Sequence, residues 1–473
     1  MSQIPQVLTA ALAVSSLSAA DWLQFRGPNG SGIADSAAPP AEFGPQEVVW
    51  RTSLPPGHSS PVLAGDRIFV TGADGDELLT ICLRRQDGEV LWRRVAPRDR
   101  VSDLNRLNHP ASPSPASDGA NVYVFFGDYG LLSYDREGNE RWRLPLGPFD
   151  NWMGMASSPI VADDKVVLVC DQDRDSFMIA VDRNTGGVEW KTGRPEYTRG
   201  FATPTLHRPA SGPPELVVPG AYQVAGYSLG RGQLLWWARG LAFEVKSLAV
   251  TDGSTLFVHG WSSTGDAPND PLPPFTEAIA RHDSNRDGRF SRQEAFFPMM
   301  RARFLSYFDF DRDGYVGAAD WSNTQARLAA RNALLAIRLG GRGDLTETGV
   351  LWSFRRTLPN VPSPLLYEGV LYLIKDGGIL TALSPESGDV LKQARLPGAL
   401  GPYWASPVAA GGRVYVASEA GVLSVLQAGA EWAVVSQNDL GEQVFATPAI
   451  GPRRLYVRTR GSLYCFGERN AVQ

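Results

Sequence analysis

Cysteine is scarce in this sequence: Cys82, Cys170 and Cys465 are the only three among 473 residues, and each stands alone in an apolar run. An odd, scattered set excludes a disulfide framework or a zinc site and leaves three small apolar side chains suited to a core. An excess of one charge is also missing, because 45 Lys and Arg face 50 Asp and Glu, for a formal net charge of -5. No basic stripe interrupts that balance, which excludes a nucleic-acid partner. After residue 20, no apolar run approaches the ~18 residues of a membrane span, so no transmembrane segment is expected.

The first twenty residues, MSQIPQVLTAALAVSSLSAA, have an apolar centre from Val7 to Leu17 and small residues at Ser18 and Ala20. They read as a signal peptide over 1–20, although no Lys or Arg precedes the apolar centre. A periplasmic or secreted monomer is the expectation. Asp21 stands where a lipid-modified cysteine would have to be, so no lipid anchor is expected.

What the chain has in abundance is repetition. A small residue and Pro open a short apolar strand, then come a turn, an alternating strand, another turn and a segment ending near Trp. Copies run SSPVLAGDRIFV with ICLRRQDGEVLW (59–92), ASPSPASDGANVYVFF with LLSYDREGNERW (111–142) and SSPIVADDKVVLVC with MIAVDRNTGGVEW (157–190). Others begin at Ala202, Pro362, Ala405 and Ala446, giving a period of roughly 41 to 52 residues with about four strands each, the pattern of propeller blades. Trp92, Trp142, Trp190, Trp236 and Trp352 recur at the copy ends, where an indole fits the wedge between blades.

LAVTDGSTLFVHG (248–260) supplies only the first half of a fifth copy, and the second half resumes at Ala333. The last copy, ATPAIGPRRLYVRTRGSLYCF (446–466), has three strands, while EVVWRTSL (47–54) reads as a fourth without its first three. Pairing those ends closes a ring and leaves no sheet edge between first and last blades. The expected fold is all-β: an eight-bladed β-propeller of four-stranded blades, with a small α-helical EF-hand insertion in blade five. Its divisions are a lead-in over 21–46, propeller over 47–260 and 333–473, and the insertion over 261–332.

These repeats resemble the quinoprotein-like, or PQQ-binding-like, β-propeller family, which includes quinone-dependent alcohol dehydrogenases and the propeller of the outer-membrane assembly machine. DWLQFRGPNGSG (21–32) resembles the lead-in of exported members, with Trp22 and Phe25 as anchors and Pro28-Asn29-Gly30 as a turn. The repeat specifies a fold and leaves activity open. Members that hold the quinone commonly use adjacent cysteines and a Glu, Asn and Asp set around calcium. No adjacent cysteines occur here, so pyrroloquinoline quinone is not the expected cofactor.

DSNRDGRFSRQE at 283 and DFDRDGYVGAAD at 309 both follow the twelve-residue calcium loop, whose oxygens come from positions 1, 3, 5, 7, 9 and 12. The first offers Asp283, Asn285, Asp287, the Arg289 carbonyl, Ser291 and Glu294, with Gly288 at the sharp turn. The second offers Asp309, Asp311, Asp313, the Tyr315 carbonyl and Asp320, with Gly314 at the turn and water needed at Gly317. Asp320 is shorter than Glu, so the second site should be weaker or more tolerant of magnesium. One or two Ca2+ ions are expected, with affinity on the order of 10⁻⁴ to 10⁻³ M as in extracellular modules. PFTEAIAR, PMMRARFLSYF and WSNTQARLAAR read as flanking helices, and Phe290 with Val316 as the β contact between loops. DQDRDSF at 171 alternates acids too, but lacks the turn Gly and reads as a solvated loop.

Residues just before each innermost strand are expected around one mouth of the channel. They are His58, His109, Trp152, Arg199, Phe201, Glu244, Lys246, Asn360, Tyr403, Trp404 and Phe445, a mixed aromatic and chargeable set. His58 and His109 come from neighbouring blades and could form a metal or acid/base pair. The expected role is a non-catalytic binding scaffold for an unidentified protein or carbohydrate, with a quinone-dependent dehydrogenase or another mouth-sited enzyme as the alternatives.

Overall fold

The computed structural model describes residues 21–467 except 45, 103, 264, 267–270 and 399, so the signal-peptide expectation for 1–20 lies outside the described residues. Eight antiparallel sheets follow one another around a central channel. Blades one to eight span 62–96, 116–145, 160–193, 205–239, 250–354, 365–395, 408–439 and 449–467, the last completed by 48–53. In blade two, Asn121–Phe126 is buried along its whole length, because both of its faces meet other blades. The outermost strand, Glu140–Pro145, alternates with solvent and buries Trp142.

The ring closes as the two ends of the repeat imply. Val48–Ser53 pairs antiparallel with Ser462–Gly467, placing Trp50 opposite Cys465. Around the channel, the Ser or Thr of a Ser/Thr-Pro pair just before the innermost strand accepts a backbone N–H from the preceding blade in seven of the eight blades. Ser60 N–H donates to Ser114 Oγ at 2.8 Å, Ser114 to Ser158 at 2.9 Å and Ser158 to Thr203 at 3.1 Å. Beyond blade five, Leu248 N–H donates to Ser363 Oγ at 3.1 Å, Ser363 to Ser406 at 2.9 Å, and Ser406 to Thr447 at 3.0 Å. Thr447 N–H then returns to Ser60 Oγ at 3.0 Å. Blade five carries Leu248-Ala249 in place of Ser/Thr-Pro and offers no such hydroxyl to blade four. Thr205 Oγ1 makes that step, donating to the Ala249 carbonyl at 2.8 Å.

A second set of contacts ties the blades at their rims. Trp92, Trp142, Trp190 and Trp352 donate their indole N–H groups to Arg136, Arg183, Leu229 and Pro385 carbonyls of the next blade at 2.8, 2.9, 2.9 and 3.1 Å. Trp50 of the closing strand does the same to Arg85, at 3.2 Å. The accepting turn must come close: at Gly186, with φ 73, an added Cβ would lie 2.7 Å from Trp142 Cδ2. Trp236 fills the wedge as expected but does not clamp the next blade. It is fully buried in the layer between blades four and five, but its N–H goes to Glu215 of its own blade at 2.9 Å. Glu215 also pairs with Arg342 of blade five at 2.8 Å, and Gly343–Asp344 adds a short fifth, parallel strand to blade four.

Connections between second and third strands emerge on the same face as those entering each innermost strand, since neighbouring strands are antiparallel. The lead-in lies across the other face. Trp22 bridges Leu63 in blade one, Asn29 exchanges two hydrogen bonds with Leu206 in blade four, and Ile33 bridges Ala409 in blade seven. Arg26, fully buried, donates from Nη2 to the Pro364 carbonyl at 2.8 Å.

The segment between Thr255–Gly260 and Ala333–Arg338, paired neighbours in blade five, holds α1 (Phe275–His282), α2 (Pro298–Arg303) and α3 (Ala318–Ala329). Phe290 pairs with Val316 across a two-stranded sheet, and Met300, Phe308 and Trp321 form a separate small core.

Trp142→Ala removes a buried indole and its interblade hydrogen bond, and is expected to lower stability by about 3 to 5 kcal/mol. Urea unfolding followed by far-UV circular dichroism measures this as a lower midpoint.

Candidate functional site

The channel contains a cavity of about 210 Å³ inside the hydroxyl belt. Its walls include Ser60, Ser114, Ser158, Thr203 and Thr447 of that belt, and Phe25 reaches it from the lead-in. Of the residues placed at the mouth by sequence, His58, Phe201, Lys246, Asn360, Trp404 and Phe445 line it. Leu107, Asn108 and Met153 line it as well, and carried no repeat signal because they sit in connections of irregular length.

The aromatic side of this mouth is continuous across four blades. The His58 ring stacks on Phe445 with centroids 4.2 Å apart, Phe445 stacks on Trp404 at 6.4 Å, and His109 lies 5.1 Å from His58. Burial, then the charges of His109, Arg458 and Arg460, push the His58 imidazolium down to about 3. Burial, with Arg458 and Arg460, brings His109 to about 4. Both rings are therefore neutral at ordinary pH, and His109 Nδ1 accepts the Ala111 N–H at 3.1 Å. The two histidines do meet. Among the described residues, however, the group of three or more possible metal-ligating acids, cysteines or histidines is Asp309, Asp311 and Asp313, away from this pair.

Across the mouth, Lys246 Nζ lies 3.4 Å from Glu244 Oε2. Burial pushes the ammonium down. Burial also opposes ionisation of Glu244, yet Lys246, Arg199 and Arg327 hold that carboxyl below its usual range. Glu244 thus stands behind Lys246 and outside the cavity wall.

Three sequence expectations need correction. Tyr403 is buried between blades six and seven, its N–H donating to Asp376 at 2.8 Å, whereas Trp404 lines the channel cavity. Trp152, exposed at the edge of the mouth, and Arg199 line not the channel cavity but a second one of about 220 Å³, shared with Leu305, Asp309, Phe310 and Arg312 of the insertion. The 171–177 segment is not a solvated loop. Asp171 and Arg194 are both buried and paired at 2.7 and 3.0 Å, and Asp173 holds buried Arg199 at 2.6 Å. Local alternation of acids could not announce this, because their arginine partners come from a later segment.

In the insertion, the first loop is wound by its own donors. Asp283 accepts the Arg286 and Gly288 N–H groups at 2.7 and 2.9 Å, Asn285 accepts Asp287 N–H at 2.9 Å, and Asp287 accepts Arg289 N–H at 3.1 Å. Glu294 accepts from Ser284 and Ser291, and the Ser291 N–H, the two serine hydroxyls and the Asn285 N–H bring its carboxyl down to about 2. In the second loop, Asp309 accepts Gly314 N–H at 3.1 Å, Asp313 accepts Tyr315 N–H at 2.8 Å, and Asp320 accepts from Phe310 and Gly317, both at 3.0 Å. Asp309, Asp311 and Asp313 present oxygens within 4.8 Å of one another. Asp309 is buried, and its Oδ1 has no hydrogen-bond partner. That oxygen set suits a hard divalent cation.

Comparison with known proteins places this geometry. The family model described as outer membrane protein assembly factor BamB matches residues 44–196 and 342–470, more than half of the chain. BamB from Moraxella catarrhalis superposes with a TM-score of 0.56 at 12% identity, covering 89% of this chain and 98% of that one. A europium-containing methanol dehydrogenase gives 0.60 at 10% identity, covering 95% and 98%. A quinohemoprotein alcohol dehydrogenase from Comamonas testosteroni gives 0.58 at 12%, covering 98% and 82%. Identities this low speak for the fold alone. No curated protein sequence matches the chain.

The neutral histidines set a pH dependence. In the unfolded chain His58 titrates near 6.5 and in the folded chain near 3, so the unfolded state binds more protons between these values. Their contribution to stability is complete above pH 6.5 and is lost progressively as pH falls toward 3. His58→Gln is expected to reduce the drop in urea midpoint between about pH 6.5 and 4, measured by tryptophan fluorescence.

Proposed function

The chain belongs to the outer membrane protein assembly factor BamB family, and on that premise we propose that it is an exported, calcium-carrying scaffold that holds a protein partner at its channel mouth without catalysis. The observation that carries this reading is the apolar character of the mouth. Val101, Leu107, Trp152, Leu305 and Leu400 are exposed on its connections and on the insertion, around a cavity walled by Phe201, Trp404 and Phe445. Exposed apolar side chains grouped about a concave centre mark a protein contact. No helix of the described residues is long and apolar enough to cross a membrane.

The site offers little to a reaction. His58 and His109 are neutral, His109 Nδ1 takes a backbone N–H where a base would need a hydroxyl, and Cys82, Cys170 and Cys465 are buried in three separate blades. Burial pushes the Cys82 thiol up to about 12 and Cys465 to about 11. Photo-crosslinking residues at Leu107, Trp152 and Leu400 are expected to capture one envelope protein, whereas the rim positions Val188 and Val390 capture none. Equal labelling at mouth and rim would sink the scaffold reading, as would alcohol oxidation after reconstitution with pyrroloquinoline quinone and calcium.

Calcium belongs to the insertion in this proposal. Asp283, Asn285, Asp287, the Arg289 carbonyl, Ser291 and Glu294 would hold one ion, and Asp309, Asp311, Asp313, the Tyr315 carbonyl and Asp320 a second. The orphaned Oδ1 of buried Asp309 supports the second site most directly. Titration calorimetry of the full chain is expected to show binding that Glu294→Gln weakens at the first site and Asp311→Asn at the second, about tenfold or more in each case. Wild-type protein that gives no heat with millimolar calcium would refute this part.

A further inference from the structure

The second loop of the insertion is also where the insertion meets the propeller. Arg312, fourth in that loop and held at φ 58, reaches Asp150 at 3.4 Å and Asp173 at 3.7 Å, on two connections of blade three. Asp150 also pairs with Arg174 at 2.8 Å, and Asp173 with Arg199 at 2.6 Å. Arg174, Asp150, Arg312, Asp173 and Arg199 thus form a chain of alternating charge that passes from blade three into the insertion. On α3, Arg327 lies 3.1 Å from the Tyr307 ring centroid within the insertion and 3.9 Å from that of Phe243 on the propeller.

The same loop turn carries the acidic cluster. Asp309 lines the cavity with Trp152, Arg199 and Arg312, and its buried Oδ1 is without a hydrogen-bond partner. Asp311 and Asp313 bring further carboxylate oxygens within 4.8 Å of it. Carboxylates that close repel one another, so the turn that aims Arg312 at blade three is held against like-charge repulsion. A divalent cation at the cluster removes that repulsion. An ion that binds this arrangement better than others draws the population toward it.

Resting on the calcium reading above, we propose that calcium in the second loop latches the insertion onto blade three, through Arg312 and its two aspartates. The ion then fixes the insertion over one side of the channel mouth, beside exposed Trp152. Arg312 stands at the loop position that supplies no ligand, so the latch and the ion site are separable by mutation.

Amide hydrogen exchange of segments 149–153 and 171–175 in the full chain tests this, with calcium calorimetry on the same samples. In the wild type, calcium is expected to slow exchange there about tenfold or more relative to chelator. In Arg312→Ala the binding heat should persist while the slowing is lost. Binding heat with unchanged exchange in blade three overturns the latch and leaves calcium binding standing. Slowing that survives in Arg312→Ala also overturns it, and a wild type without heat removes the calcium reading together with the latch.

Discussion

Every blade but the fourth hands a backbone N–H to a hydroxyl of the next, the fourth using Thr205 Oγ1 on the Ala249 carbonyl, and the circuit closes where Thr447 returns its N–H to Ser60. Singly, such a bond contributes about 1 kcal/mol, but these donors are buried around the channel, where an unmade bond costs more than a made one gains. The belt therefore makes eight marginal sheets into one ring. Closure of blade eight by Val48–Ser53 serves the same end, by removing the free edge that an open ring would expose.

At the rim, the tryptophan clamps repeat the constraint from outside. Trp50, Trp92, Trp142, Trp190 and Trp352 each require a neighbouring turn close enough to accept an indole N–H. The junction between blades four and five lacks both devices in their usual form. Leu248 replaces the hydroxyl, and Trp236 turns its N–H to Glu215. The blade whose second and third strands are parted by the insertion is thus joined to its predecessor by other means: Thr205 to Ala249, Glu215 to Arg342, and the added strand Gly343–Asp344.

The two faces have consequently different roles. One is sealed by the lead-in, whose Arg26 sits under the channel and is brought down to about 9 by burial. The other keeps an aromatic mouth, with His58 stacked on Phe445 and held neutral by burial and by the neighbouring charges of His109, Arg458 and Arg460. The insertion lies on this second face, because a connection between second and third strands emerges there. Its charges interlock with blade three, and Trp152 and Arg199 end up in a cavity they share with it.

The blade count, the closing strand and the fifth-blade interruption were all legible in the sequence, since each rests on a local pattern of period two punctuated by turns. The ligand spacing of the two acidic loops is equally local, written within twelve residues, and it carries the calcium proposal. The partners of side chains distant in the chain were not legible. Asp171 and Asp173 look like solvent-facing acids until Arg194 and Arg199 are folded beside them, and Tyr403 packs between blades while its neighbour Trp404 lines the channel cavity. The sequence by itself determined the blades and the candidate cation ligands, because local periodicity and spacing encode both. Only the tertiary structure decided which residues share a cavity and which charges are buried, because ring closure brings those groups together from segments that carry no mark of one another.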